Sequence, residues 1–457
     1  MSLSPVAALN SVIDRLSDLA DTPAIDYKAL VILSTWIQTG FEVYILQVHE
    51  PIEDSLKGHL DDETFRKAQV YSKDKTRYLL AQVVFNQLLG WGLIKTGVYA
   101  KLWDVSGTVV DSFGLGTNWV IIRSLVWVTI LTLTTALPSI PWSYYYTFVI
   151  ESKHGFNKSS KGLWIADTFK TYALVAALGL PVLSGFLRII EYTGKTFVPW
   201  LMLFLVGIQL TLQIVYPLII QPLFNKLEPL PEGELRTQVE ALAGELGFPL
   251  THLYVIDGSK RSSHSNAYFY GLPWSKHIVI YDTLIKDSTT EEVVAVLAHE
   301  LGHWKFTHPT KLLLATQVHL FLTLTIFSIF INNRSLYSAF GFDPSLAVTA
   351  PQPFCIGFIL FQLVLEPTDA FVKFLLNAQT RRYEYQADEF AVGLGKKAEL
   401  AEALIKLHVK NLSSPHSDWL YSMYHHSHPT LPERLTAMDK YEEERVARVG
   451  KEGKKDL

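Results

Sequence analysis

The sequence predicts a multi-span α-helical membrane protein, with about seven transmembrane helices, carrying a mainly α, α+β domain on the cytosolic side. Three observations lead there. Hydrophobic residues make up 49% of the 457 residues, charged residues only 18%, and mean hydropathy is +0.19, a balance tilted away from soluble domains. Seven stretches approach the ~20 mostly apolar residues that a spanning helix needs. A polar segment between the fifth and sixth of these alternates helix-like and strand-like patterns.

The candidate spans run from about Ala29 to Val48, Tyr78 to Tyr99, Trp119 to Tyr145, Tyr172 to Ile190, Phe197 to Ile220, Leu312 to Ile331 and Phe354 to Leu376. None is wholly apolar: Gln38, Glu42, Gln87, Lys95, Arg123, Gln209, Gln213, His319, Glu366 and Asp369 fall within them. Polar groups at that depth are costly against lipid, so the set is expected to face an interior. Lys95 and Arg123 have snorkelling near span ends as an equal alternative. Residues 1–26 are amphipathic and do not read as a signal peptide.

Orientation follows from the basic residues. With the N-terminus outside, inside loops carry Lys57, Arg66, Lys67, Lys73, Lys75 and Arg77, then Lys153, Lys158, Lys161 and Lys170, against little outside beyond Lys101, Lys195 and Arg334. The chain then divides into a five-span part (1–220), a cytosolic part (221–310), the sixth and seventh spans (311–376) and a C-terminal cytosolic part (377–457). Asn157, Asn333 and Asn411 match a glycosylation pattern, but only as chance matches on that topology.

In the first cytosolic part, Pro231–Leu235 opens a helix that Gly247 stops. Leu253–Ile256, Asn266–Gly271 and His277–Tyr281 read as strands, the last two joined by a Gly-Leu-Pro turn. The next helix holds His299-Glu300-Leu301-Gly302-His303. Thr289 or Thr290 caps it, Glu291 and Glu292 complement its dipole, and Val293, Val294, Val296 and Leu297 form its apolar stripe. Positions i and i+4 share one face, so His299 and His303 suit one zinc ion, with Glu300 as general base.

A catalytic zinc needs a third protein ligand. His308, five residues past His303, would point roughly 140° away on a continued helix, and His319 lies deep in a span. The best candidate is in Arg381-Arg382-Tyr383-Glu384-Tyr385-Gln386-Ala387-Asp388. On a helix, Glu384 can ligate while Asp388 accepts the outer N–H of a ligating His. Spacing alone equally allows a surface helix whose acids pair with Arg381 or Arg382.

Several stretches together resemble the type I CAAX prenyl proteases, integral-membrane zinc metalloendopeptidases of the gluzincin type. They are Ile150–Lys158, Pro222–Lys226, Ser265–Phe269, His299–Trp304, Arg382–Asp388, and Ser427-His428-Pro429 followed by Glu433-Arg434-Leu435. One departure is Thr380, where relatives often carry Ser. The resemblance implies one zinc ion per chain on His299, His303 and Glu384, with Glu300 as base and Asp388 supporting a ligand. It implies substrate and oxyanion contacts from His428 and Arg434, although Ser427–Pro429 also suits a capping turn. It further implies substrate alignment along Asn266, Ala267 and Tyr268, and a ring of helices around a water-filled chamber. The substrate class is prenylated CaaX peptides or proteins losing three C-terminal residues, and some relatives make a second, upstream cut. Lys454 and Lys455 form a dilysine pattern pointing to the endoplasmic reticulum membrane, with the inner nuclear membrane as a further candidate; a solvated charged tail is the plain alternative.

Other classes fit less well. The net charge of −4 gives no sign of a nucleic-acid partner. Cys355 alone excludes an intrachain disulfide or cysteine metal site. A membrane quality-control metalloprotease would use the same site. A transporter or channel would explain spans with charges, but no inverted repeat appears. A degenerate scaffold would not keep Glu300, and Lys305 and Lys311 place the motif near the membrane surface rather than inside a span.

Overall fold

The computed structural model describes residues 5–47, 62–116, 118–348, 352–413 and 418–452. Lys57 and the dilysine pair lie outside them. In the first half, helix follows apolar composition: α1 (Pro5–Ala20), α2 (Tyr27–Gln47) and α3 (Asp62–Lys95). Gly97, at φ 68°, turns the chain into α4 (Val98–Ser112). Next come α5 (Val120–Ala136) and α6 (Ile140–Tyr145), parts of one rod ending in a π-turn at Tyr146–Glu151. Then α7 (Lys161–Thr193) folds back at Gly194–Thr196 onto α8 (Phe197–Val215), which continues through a second π-turn into α9 (Gln221–Phe224).

Two residues after α9 the polar domain begins, with β1 (Leu227–Pro229), α10 (Glu234–Leu246), β2 (Leu250–Ile256), β3 (Ala267–Leu272), β4 (Ser275–Tyr281), α11 (Asp282–Asp287) and α12 (Thr290–Lys305). The chain re-enters the apolar bundle through α13 (His308–Phe330), α14 (Arg334–Ala339) and α15 (Phe354–Gly393), and ends in α16 (Lys397–Lys410), α17 (Trp419–His425) and α18 (Leu431–Glu452).

Among the described residues, which leave out Val48, all seven predicted spans fall largely on helices. Five stretches among the described residues meet the length and apolarity of a membrane crossing: Tyr27–Leu46, Val120–Glu151, Lys161–Phe224, His308–Phe330 and Phe354–Gly393. Lys161–Phe224 contains both α7 and α8, packed against each other. The helix α3 is not among the five because Gln82, Asn86, Gln87 and Lys95 interrupt its otherwise apolar second half. Tyr99, expected to end the second span, belongs instead to α4, beyond the Gly97 turn. The seventh span and the Glu384 segment are one 40-residue helix, α15.

Several polar groups within the spans find one another. Gln317 donates to Gln209 at 2.6 Å, Gln87 to Thr35 at 3.2 Å, and His319 lies 3.4 Å from Asp369. Arg123 does not snorkel: its Nε and Nη2 donate to the Trp103 carbonyl at 3.2 and 2.8 Å, with the guanidinium over the Trp103 ring. Asn333 is buried and caps α14.

Two cores result. One, around Trp127, Phe197, Phe327 and Phe361, holds the apolar bundle. The other packs α10 and α12 against the sheet, with α16 on α12, through Val239, Ile278, Ile280, Leu297 and Ala403. The sheet order is β1-β2-β4-β3, with β2 and β4 parallel and the outer pairs antiparallel. Central β4 is accordingly buried at Ile278, Val279 and Ile280 in succession, while β3 presents a sheet edge.

Candidate active site

Helix α12 begins at a capping box. Thr289 Oγ1 accepts from the Glu292 amide, and Glu292 Oε2 accepts from the Thr289 amide, which satisfies two orphan donors. Glu292 also holds Lys406 of α16 at 2.6 Å. Val293–Leu297 are buried, so the helix is fixed along its length. One turn further, His299 and His303 project together. Their Nε2 atoms lie 3.2 Å apart. From α15, Glu384 Oε2 is 3.4 Å from His299 Nε2 and Oε1 is 3.3 Å from His303 Nε2. Gly302 makes this approach possible: a Cβ there would meet Ala387 Cα at 3.1 Å and Phe390 Cβ at 3.2 Å.

The three donors fit a metal ion. A tetrahedron with bonds of ~2.0–2.1 Å has edges of about 3.3 Å, close to these separations. Glu384 is 3% exposed, and its Oε2 has no hydrogen-bond partner among the described residues. A buried, orphaned carboxylate oxygen facing two imidazole nitrogens is costly without a cation between them.

Around the donors is a shell of oriented partners. His299 Nδ1 donates to Asp388 Oδ1 at 2.9 Å. Asp388 in turn accepts from Arg434 Nε and Nη2 at 2.8 and 2.7 Å. Burial works against the Arg434 charge, but Asp388 and the nearby Glu384 and Glu300 more than offset it and hold its pKa above the usual range. His428 Nε2 is 3.3 Å from Glu384 Oε1, while its ring stays largely exposed. Burial raises the Glu300 carboxyl above the usual carboxylate range, against the pull of His299 and His303.

The structure therefore brings His299, Glu300, His303, Glu384, Asp388, His428 and Arg434 to one place. The Asn266–Tyr268 segment is less simply disposed. It opens β3 beside α12, but the Ala267 amide donates to Asn266 Oδ1 and the Ala267 side chain is in the core. Tyr268 is anchored by Gln221 Nε2 at 2.6 Å.

Two residues escaped the sequence reading. His308 is not on the HExxH helix, as the 140° reckoning assumed; α12 ends at Lys305 and a turn through Thr307, at φ 56°, starts α13. Pro309 was the signal for that break. Arg381, which spacing alone allowed as a surface partner of the nearby acids, is instead buried: Nη1 donates to Ser422 Oγ and the His428 carbonyl, and Nη2 to both oxygens of Glu433. It thereby fixes the turn that carries His428.

A helical membrane bundle joined to a His-His-Glu centre with an adjacent buried carboxylate defines a membrane-embedded metallopeptidase. Residues 42–226 match the family described as CAAX prenyl protease N-terminal, five membrane helices, and residues 229–442 match peptidase family M48. CAAX prenyl protease 1 of Saccharomyces cerevisiae is 39% identical over 93% of this chain and 98% of that protein. The human CAAX prenyl protease 1 homolog is 38% identical over 89% and 94%. The crystal structure of S. mikatae Ste24p superposes with a TM-score of 0.86 at 39% identity, covering 91% of this chain and 99% of that one. The chain belongs to the type I CAAX prenyl protease family and is a metalloendopeptidase of family M48.

Proposed function

We propose that the protein is a zinc-dependent endopeptidase that removes the last three residues from prenylated CaaX proteins. The observation that carries the metal reading is the triad of donors 3.2–3.4 Å apart around the orphaned Glu384 oxygen. Two imidazoles and a carboxylate at those spacings suit zinc. When bound, zinc supplies Lewis-acid polarisation and a more acidic water.

The protein's own residues do the rest. Glu300 takes a proton from the attacking water and returns it to the leaving amine. Its raised pKa suits a group that must both accept and release a proton. His428 and Arg434 supply donors and positive charge beside the carbonyl as it becomes an oxyanion. Two of the Arg434 nitrogens are held by Asp388, leaving Nη1, 3.9 Å from Glu384 Oε2, nearest the reacting centre. The substrate backbone adds along the edge at Asn266, Ala267 and Tyr268.

The membrane part supports a lipid-modified substrate, since an apolar chain and a polar peptide must reach one centre. The names of the 39% and 38% identical relatives favour prenylated CaaX substrates. We place the protein in the endoplasmic reticulum membrane with its active site toward the cytosol, a reading supported by the resemblance to CAAX prenyl proteases and by the basic inside loops.

The test is purified protein given a prenylated CaaX peptide and its unprenylated twin. Loss of three residues from the first alone, abolished by chelation and restored by zinc, is expected. Equal cleavage of both points instead to the quality-control protease.

A further inference from the structure

One buried group beside the centre has no part in the reaction above. His308, at the start of α13, is 1% exposed. Its Nδ1 lies 3.0 Å from His303 Nδ1, and its Nε2 lies 3.0 Å from Gln386 Oε1. The ring stacks on Tyr383 at 4.1 Å with planes 11° apart. Tyr383 and Gln386 lie on either side of Glu384 along α15, so one helix supplies a metal donor and also two of the contacts of His308. The turn that swings His308 back over His303 puts Thr307 at φ 56°, a left-handed conformation that a β-branched residue rarely adopts.

Proton bookkeeping gives the chain a direction. His303 turns Nε2 toward Glu384 and His299. A neutral imidazole offering its Nε2 lone pair to a metal carries its proton on Nδ1. That N–H points at His308 Nδ1, which must then be the acceptor, so the proton of His308 resides on Nε2. There it donates to the Gln386 carbonyl oxygen. Each nitrogen has one role, and reversing any link leaves two N–H groups or two lone pairs opposed.

We propose that His308, held by Gln386, is a positioning residue: it accepts the His303 Nδ1 proton and thereby locks the tautomer and ring plane that present Nε2 to the metal. This rests on His303 being a metal ligand. His299 has a charged acceptor, Asp388, in the same place; His303 has a neutral one. Outer partners of this kind change metal affinity by about 10–100-fold.

The experiment measures zinc affinity of the purified full chain by chelator competition, after stripping, with thermal unfolding of the stripped protein as the folding control. His303→Ala serves as reference. His308→Phe keeps the stack on Tyr383 but accepts no proton, and is expected to bind zinc about 10–100-fold more weakly. His308→Asp, whose Oδ1 falls near the position of Nδ1, is expected to recover most of that loss. Gln386→Leu should weaken binding and Gln386→Glu should not. Wild-type affinity in His308→Phe, or equal losses in His308→Phe and His308→Asp, overturns the proposal. If His308→Phe does not fold, equal affinities of the two Gln386 variants overturn it. Unchanged zinc binding in His303→Ala would instead overturn the ligand assignment.

Discussion

Arg434 and Asp388 form a two-point ion pair, Nε to Oδ2 at 2.8 Å and Nη2 to Oδ1 at 2.7 Å, and the same Oδ1 receives the His299 N–H at 2.9 Å. Asp388 is fully buried and Arg434 nearly so. The pair joins α18 to α15 and, through His299, to α12. A charge pair this deep stabilises little against an apolar equivalent, but losing one member leaves the other charge uncompensated. Its separate contribution is to aim the ring of a metal donor.

That separation is testable. Asp388→Ala should destabilise the protein by about 3–5 kcal/mol and weaken zinc binding by about 10–100-fold. Adding Arg434→Met to it should recover much of the stability, because no unpaired charge remains, but none of the affinity. Thermal unfolding and chelator competition on the two single variants and the double read the two effects apart. Recovery of affinity in the double variant would contradict the aiming role of Asp388.

Glu300 carries a different burden from the donors beside it. Glu300→Gln keeps size and hydrogen bonding but cannot take a proton. Its kcat should fall at least about 10²–10⁴-fold, with metal content unchanged by elemental analysis. Parallel loss of metal and activity would make Glu300 a structural residue.

His264 ties the polar domain to the bundle. Its Nε2 lies 3.5 Å from Glu151 Oε2, its Nδ1 donates to Asn411 Oδ1 at 2.9 Å, and its ring stacks on Phe156. The Glu151 bond raises its pKa, burial opposes this, Asn411 adds to the rise, and Lys75 lowers it. A raised folded pKa gives stability that is complete below the unfolded value of about 6.5 and is lost as pH rises through the folded value. The melting temperature should therefore decline from pH 6 upward through that window, and His264→Gln should flatten the decline. An identical pH slope in the variant would show that the clamp does not titrate.

What could be read in advance follows the range of the interactions. The HExxH pair was legible because both histidines are one helical turn apart, and the spans because composition alone shapes them. Glu384 and Asp388 were visible as an acidic i, i+4 pair able to serve the HExxH histidines, but spacing left a surface helix as an equal reading and the resemblance decided it, since the contact across 89 residues exists only after α15 crosses α12. His308 was misplaced for a local reason: the Thr307 turn resets the helical phase within two residues. Arg381, Glu151 and His264 act through contacts between elements far apart in the chain, and no periodicity carries those.

Gly302 is the residue whose role is hardest to see in the motif and easiest to test. Within an exposed helix, Gly→Ala is favourable by about 1 kcal/mol. Here the new methyl would meet Ala387 Cα at 3.1 Å and Phe390 Cβ at 3.2 Å, one turn from Glu384 on the facing helix. The neighbour at Ala387 is backbone and cannot rotate away, so α12 and α15 must separate by a few tenths of an ångström. The donors sit on both helices, so the separation lengthens Glu384 to His299 and His303 together. Gly302→Ala should thus lower zinc affinity severalfold and cost about 1–3 kcal/mol through overpacking, despite its better helix propensity. Higher stability with unchanged zinc affinity would show that the close approach of the two helices is incidental to the centre.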